Sequence, residues 1–288
     1  MFTGEFGAID YLTDFTAGPV VSDIVTIGNF SWRQSFLAAN ESTWSVMPTD
    51  GFLGLAFNNF SVGNADTFMH TLLHQLDEPE FGIFLGNKDS DHATGLLTLG
   101  GSHANVYSDD EPTEIPIVKG RSNVFDAWRS VIQGVTVDGF KNYGSNASDT
   151  VSLDRGNAVF DTGAGGIQLP STKIEAVYEL MGMNYTALLW GDRVLSCSEF
   201  NSSWSISFSF APDETASAQV LTLRGDELAR PGFPAAAGAC WPPFEDSGSE
   251  TFTLLGSPLL SHFYTVWGFG ASDEATFAPT LGLAKLRK

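Results

Sequence analysis

In Asn157-Ala-Val-Phe-Asp161-Thr162-Gly163-Ala164-Gly165-Gly166 an apolar run meets an acid, a hydroxyl and then three glycines within four positions. This is the layout of a strand that ends in a tight turn and presents a carboxylate, because glycine lets backbone N–H groups come close to the acid. Asp161 is therefore the first candidate for chemistry. Outward from it, short apolar or period-two runs dominate: SDIVTIG at 22–28, TEIPIV at 113–118, VTVDGF at 135–140, WSISFSF at 204–210, TFTLLG at 251–256 and FYTVWGFG at 263–270. These read as strands, and the 30 glycines and 13 prolines, mostly between them, supply turns.

Helical signals are few. DTFMHTLLHQL (66–76) places Phe68, Met69, Leu72, Leu73 and Leu76 on one face. Thr172 with Glu175 predicts a capping box ahead of Ile174, Val177, Tyr178 and Met181, and Gly182 suits the end of that helix. The expectation is a mainly β protein with two short helices.

The 288 residues suffice for one large core or two lobes. A formal charge of −20, from 14 Lys+Arg against 34 Asp+Glu, would repel phosphate backbones and anionic lipid, which argues against nucleic-acid and polybasic-membrane functions. The same self-repulsion fades as carboxylates protonate, so an acidic working environment is expected. No stretch is long and apolar enough to span a bilayer, and the first fifteen residues lack the basic and apolar regions of a signal peptide.

Cys197 and Cys240 have no zinc-like spacing, leaving one disulfide or two buried thiols. Six N-x-Ser/Thr sequons, at Asn29, Asn40, Asn59, Asn146, Asn184 and Asn201, favour secretion and with it the disulfide. His70, His74, His92, His103 and His262 form no metal spacing, and neither a metal nor another cofactor is expected.

DGFLGLAF (50–57) and FTLLGSPLL (252–260) echo each other in an apolar-apolar-Gly pattern, as two related lobes would. The second of these, together with Val159-Phe160-Asp161-Thr162-Gly163, resembles the second half of the pepsin-like aspartic peptidases. The likeness continues through FGIFLG and GLLTLGG (81–86, 95–101), FDAWRSVIQGVTVDG (125–139), Cys197 and Cys240, LLGSPLLSHFYTVW (254–267) and FAPTLGLAKL (277–286), in the family's order.

The resemblance implies an all-β bilobal fold with a few short helices and a cleft between its lobes, with a partial first lobe at 1–118 and the second lobe at 119–288. It implies that Asp161 is the second-lobe catalytic aspartate, that Thr162 and Gly163 shape its loop, and that Cys197 and Cys240 are bonded. Tyr11 resembles the flap tyrosine, with Thr13 and Asp14 at the hairpin tip above the cleft. Chemically, two carboxylates held close share one proton; the ionised one activates water and the protonated one supports the oxyanion. Pepsin itself is the usual worked example of that dyad.

Three departures qualify the match. Ala164 stands where the family carries Ser or Thr, so Asp161 lacks one hydroxyl partner. Leu12 and Asp14 replace positions that are commonly glycine. No D-T-G or D-S-G precedes Tyr11, so the chain is expected to encode only the second of the two aspartates, as a truncated gene model or fragment, and to dissolve poorly.

The expected activity is acid endopeptidase cleavage of a peptide or protein substrate by a monomer, extracellular or vacuolar. A catalytically inactive, peptide- or protein-binding relative is the alternative. A homodimer joining two copies of Asp161 ranks third, because each chain already holds a complete second lobe whose pairing surface expects a different partner.

Overall fold

The computed structural model describes residues 1–11, 14–44, 49–86, 94–139 and 149–287. Thr13 and Asn146 lie outside the described residues, as do Leu12 and His92.

Three main sheets account for the period-two runs. The first pairs Phe2–Asp10, Phe15–Ile27 and Phe30–Leu37 antiparallel in that order, with Glu41–Ser42 also on Phe15–Ile27. Asp10 faces Phe15 across the first hairpin, and the Tyr11 N–H donates to the Asp14 carbonyl at 2.7 Å. The outer strand is thinly covered: Phe2 and Phe6 are exposed.

The second sheet has seven strands in the order Gln219–Arg224, Ser205–Phe210, Arg129–Asp138, Asp149–Phe160, Phe252–Leu255, Ile167–Leu169 and Glu245–Asp246. Strict alternation in Ser205–Phe210 buries Ile206, Phe208 and Phe210 and turns the serines outward, as a sheet with one core face requires. Phe252–Leu255 lies parallel to Asp149–Phe160 and antiparallel to Ile167–Leu169. The two strands joined by the Asp161 turn therefore never pair with each other; a third strand runs between them.

The third sheet, ordered Leu96–Leu99, Glu80–Phe84, Phe263–Gly268, Thr280–Lys285 and Thr113–Pro116, takes strands from both sides of residue 118. Its pairs Phe81↔Trp267 and Ile115↔Leu281 place buried side chains in one layer. Phe57, Phe81, Trp128, Trp267 and Phe269 interlock there, with Phe57 and Trp128 centroids 4.7 Å apart and Phe81 stacked on Trp267 at 5.7 Å. Each such buried ring contributes roughly 1.5–3 kcal/mol by leaving water, so this cluster is a main source of cohesion between the early and late parts of the chain.

The helices differ from the sequence reading in extent. The 66–76 pattern forms an α-helix only over Phe68–Leu72, capped by the Thr67 side chain, and then tightens into a 3-10 turn at Leu73–Gln75. The predicted Thr172–Glu175 box is absent: Ile174–Leu180 is preceded by Lys173 at the cap with no side-chain bond, and the Thr172 hydroxyl instead donates to the Glu250 carbonyl. That neighbouring acceptor, 78 positions away in sequence, outcompetes the local one. Gly182 ends the turn at positive φ as expected. Short helices at Ala104–Tyr107, Tyr185–Leu189 and Ser257–Leu260 complete the set of α-helices among the described residues.

Cys197 and Cys240 form a disulfide across the short ladder Leu195–Ser196 and Ala239–Cys240. All five sequon asparagines in the described residues are exposed. Asn29 sits in the turn before Phe30–Leu37, and Asn40 just after that strand. Asn59 donates to Glu274 Oε1 at 2.6 Å, Asn184 caps Tyr185–Leu189 through the Ala187 N–H, and Asn201 accepts from the Ser203 N–H. No helix among the described residues is long and apolar enough to cross a membrane.

Candidate active site

The Asp161 turn is built from both strands that flank Phe252–Leu255. The Asp161 N–H donates to the Leu255 carbonyl at 3.1 Å and the Ala164 N–H to the Asp161 carbonyl at 3.2 Å. The Gly163 N–H reaches back to Asp161 Oδ1 at 2.8 Å, so a backbone donor holds the carboxylate at the rim of the sheet. Asp161 and Gly163 are exposed, and Thr162 and Ala164 half-buried. Ala164 brings no hydroxyl to this cradle.

The strand beneath must pass under the turn, and glycine makes room for it. At Gly256 a Cβ would run into the carbonyl oxygens of Ala164 and Gly166. The Gly256 N–H instead donates to Gly166 O at 3.1 Å, and Ser257 N–H to Ala164 O at 2.8 Å. The echoing stretch 50–57 behaves differently. Leu55 is fastened by Trp128 Nε1, which donates to its carbonyl at 3.0 Å. Residues 51–55 form no strand, Phe52 and Leu53 are exposed, and nothing lies within 4 Å of a Cβ at Gly54.

Tyr11 lies within electrostatic reach of Asp161. Burial pushes its phenol up from the ordinary tyrosine range, and the Asp161 carboxylate pushes it further the same way, since a nearby anion disfavours phenolate. The ring packs edge-on against Trp44 at 5.3 Å and against Phe52 at 6.2 Å, with Trp44 and Phe52 5.1 Å apart. Asp14 Oδ1 accepts from the Thr43 hydroxyl at 3.0 Å, which also accepts from the Phe15 N–H at 2.8 Å. Asp14 thus ties the turn end of the hairpin to residue 43.

Trp44 and Phe52 were not legible as site neighbours from sequence, since only the folded hairpin brings them to Tyr11. In D161N, the phenolate absorbance titration of Tyr11 should move to lower pH, because a repelling charge is lost while burial remains. An unchanged midpoint would remove the electrostatic link between hairpin and turn.

A second acid-hydroxyl-glycine triplet, Asp246-Ser247-Gly248, repeats the local bond, with Gly248 N–H on Asp246 Oδ1 at 2.8 Å. Ser171 Oγ also donates to that oxygen. Asp246 sits on the edge strand three positions across the sheet from Asp149–Phe160, on the order of 14 Å at the usual strand spacing. It is too distant to share a proton with Asp161.

The sequence model of the family described as "Eukaryotic aspartyl protease" matches residues 3–280. The probable vacuolar protease A of Arthroderma benhamiae is 25% identical over 97% of this chain and 64% of its own length. Rhizopuspepsin-4 of Rhizopus niveus is 32% identical over 63% of this chain and 43% of its own, and gastricsin of Rattus norvegicus is 26% identical over 93% and 64%. The chain spans a little under two thirds of the length of the first of these relatives.

Proposed function

We propose, because this chain belongs to the eukaryotic aspartyl protease family, that it carries one half of the water-activating machinery of an acid endopeptidase, with Asp161 as the catalytic carboxylate. The observation that carries this reading is the Asp161 turn itself, whose carboxylate is exposed yet held by the Gly163 N–H and acts on the Tyr11 phenol. Thr162, Gly163 and Ala164 form its loop. Tyr11, with Thr13 and Asp14, would close over a bound peptide, and the wall of Tyr11, Trp44 and Phe52 suits bulky apolar side chains.

One carboxylate cannot be both the base that takes a proton from water and the acid that supports the oxyanion. A partner carboxylate would have to stand beside Asp161 to take the other role. The internal echo suggests where it docks: against Gly54, as the Asp161 turn sits on Gly256. Residues 1–118 and 119–288 would then be the two lobes, joined by the shared five-stranded sheet. Relatives named vacuolar protease A and gastricsin favour the secretory pathway or vacuole as the site of action.

The test is hydrolysis of an unfolded protein substrate by the native gene product across pH 2–8, with and without a statine-type inhibitor. Cleavage that rises toward acid and stops with the inhibitor is expected. Peptide binding with no cleavage at any pH would replace this reading with that of a silent binding protein, which the missing Ala164 hydroxyl and open residues 51–55 would suit.

A further inference from the structure

We propose that Arg230 is a positioning residue for the Asp161 turn: its guanidinium fastens the middle of three successive turn carbonyls, and Glu245 aims it there. Its catalytic meaning rests on the reading of Asp161 just given.

The carbonyls of Ala164 and Gly166 are held by main-chain donors, Ser257 N–H and Gly256 N–H. Between them, the Gly165 carbonyl accepts from Arg230 Nη2 at 3.0 Å. Gly165 has no side chain, and a Cβ there would meet nothing within 4 Å, so packing does not hold this peptide in place. A side chain 65 positions away does.

Glu245 closes the arrangement from the other side. Its Oε1 lies 3.7 Å from Arg230 Nη1, an ion-pair contact and not a hydrogen bond, and its Oε2 occupies space 2.9 Å from where a Gly166 Cβ would stand. The Gln168↔Glu245 register sets that position. Arg230 is fixed in turn, since its carbonyl accepts from the Trp241 N–H at 2.8 Å, Pro231 bridges Cys240, and Cys240 is bonded to Cys197.

A continuous mechanical path thus runs from the disulfide through Arg230 to the turn that presents Asp161. The planar fork sets one nitrogen on the carbonyl and holds the other beside the carboxylate, whereas an ammonium is one compact charge. The bond is charge-assisted and correspondingly strong.

The test is site-resolved amide exchange in the 288-residue chain, at Gly163, Ala164, Gly256 and Ser257. Arg230→Ala should speed exchange there about ten-fold or more, the value expected for losing a hydrogen bond to a charged group. Protection at Ile206 and Phe208 should not change. Ethylguanidinium at millimolar concentration should restore the slow rates in Arg230→Ala, which a packing role would not allow.

Arg230→Lys should fall between wild type and Arg230→Ala, and it serves in its place if the alanine variant fails to fold. Unchanged exchange at the four amides, equal acceleration at Ile206 and Phe208, or no rescue would each overturn the proposal. Because the readout needs no proteolysis, an absent peptidase activity leaves it standing, and a failed exchange result leaves the role of Asp161 untouched.

Discussion

Asp161→Asn is expected to lower acid hydrolysis of peptides by the native gene product at least about 10²-fold and up to about 10⁴-fold, the range for losing a positioned general acid or base. The loss should come without unfolding. Asp161 is exposed, and its one described side-chain bond, from the Gly163 N–H, can be accepted equally by an amide oxygen. A thermal melt matching wild type, paired with lost cleavage, is the expected combination. Cleavage within ten-fold of wild type would take Asp161 out of the mechanism.

The largest stability effect is expected at the disulfide. Opening Cys197–Cys240 as the double serine variant releases a loop of 43 positions, worth about 4 kcal/mol in the chain-entropy account. For a protein of this size that corresponds to a Tm lower by on the order of 10 °C. Cys240 is fully buried, so its replacement also places a hydroxyl in the core. Urea unfolding monitored by tryptophan fluorescence measures the change, and a shift under 1 kcal/mol would show that the ladder Leu195–Cys240 is held by its neighbours alone. The two variants separate cleanly, one removing chemistry and keeping the fold, the other the reverse.

What could be read from the sequence follows from how local each signal is. Alternation in 204–210 and the apolar run into Asp161 report their own burial, and both strands form where expected. The turn itself was legible from its run of glycines, of which Gly163 and Gly166 lie against the Asp161 and Glu245 side chains while Gly165 stands open. Thr172 misled because the Glu250 carbonyl, brought alongside by the fold, offers its hydroxyl a better partner than the local backbone. The helix over 66–76 is cut short where its last turn tightens at Leu73.

Stretch 50–57 echoes 252–260 in sequence, yet only the latter pairs on both edges, since strand formation needs neighbours that pattern cannot supply. Arg230 left no signal. A lone arginine beside a proline says nothing about a carbonyl 65 positions earlier. The aromatic group of Tyr11, Trp44 and Phe52 was hidden for the same reason.

The five-stranded sheet that interleaves Glu80–Phe84, Leu96–Leu99 and Thr113–Pro116 with Phe263–Gly268 and Thr280–Lys285 sets a schedule for biosynthesis. Synthesis must reach Lys285 before Thr113–Pro116 finds its pairing partner, so about 170 residues emerge from the ribosome while that edge waits, at 5–20 residues per second for roughly 10–30 s. Nascent chains would depend on chaperones throughout that interval, and loss of even the last eight residues would leave Thr113–Pro116 permanently unmatched.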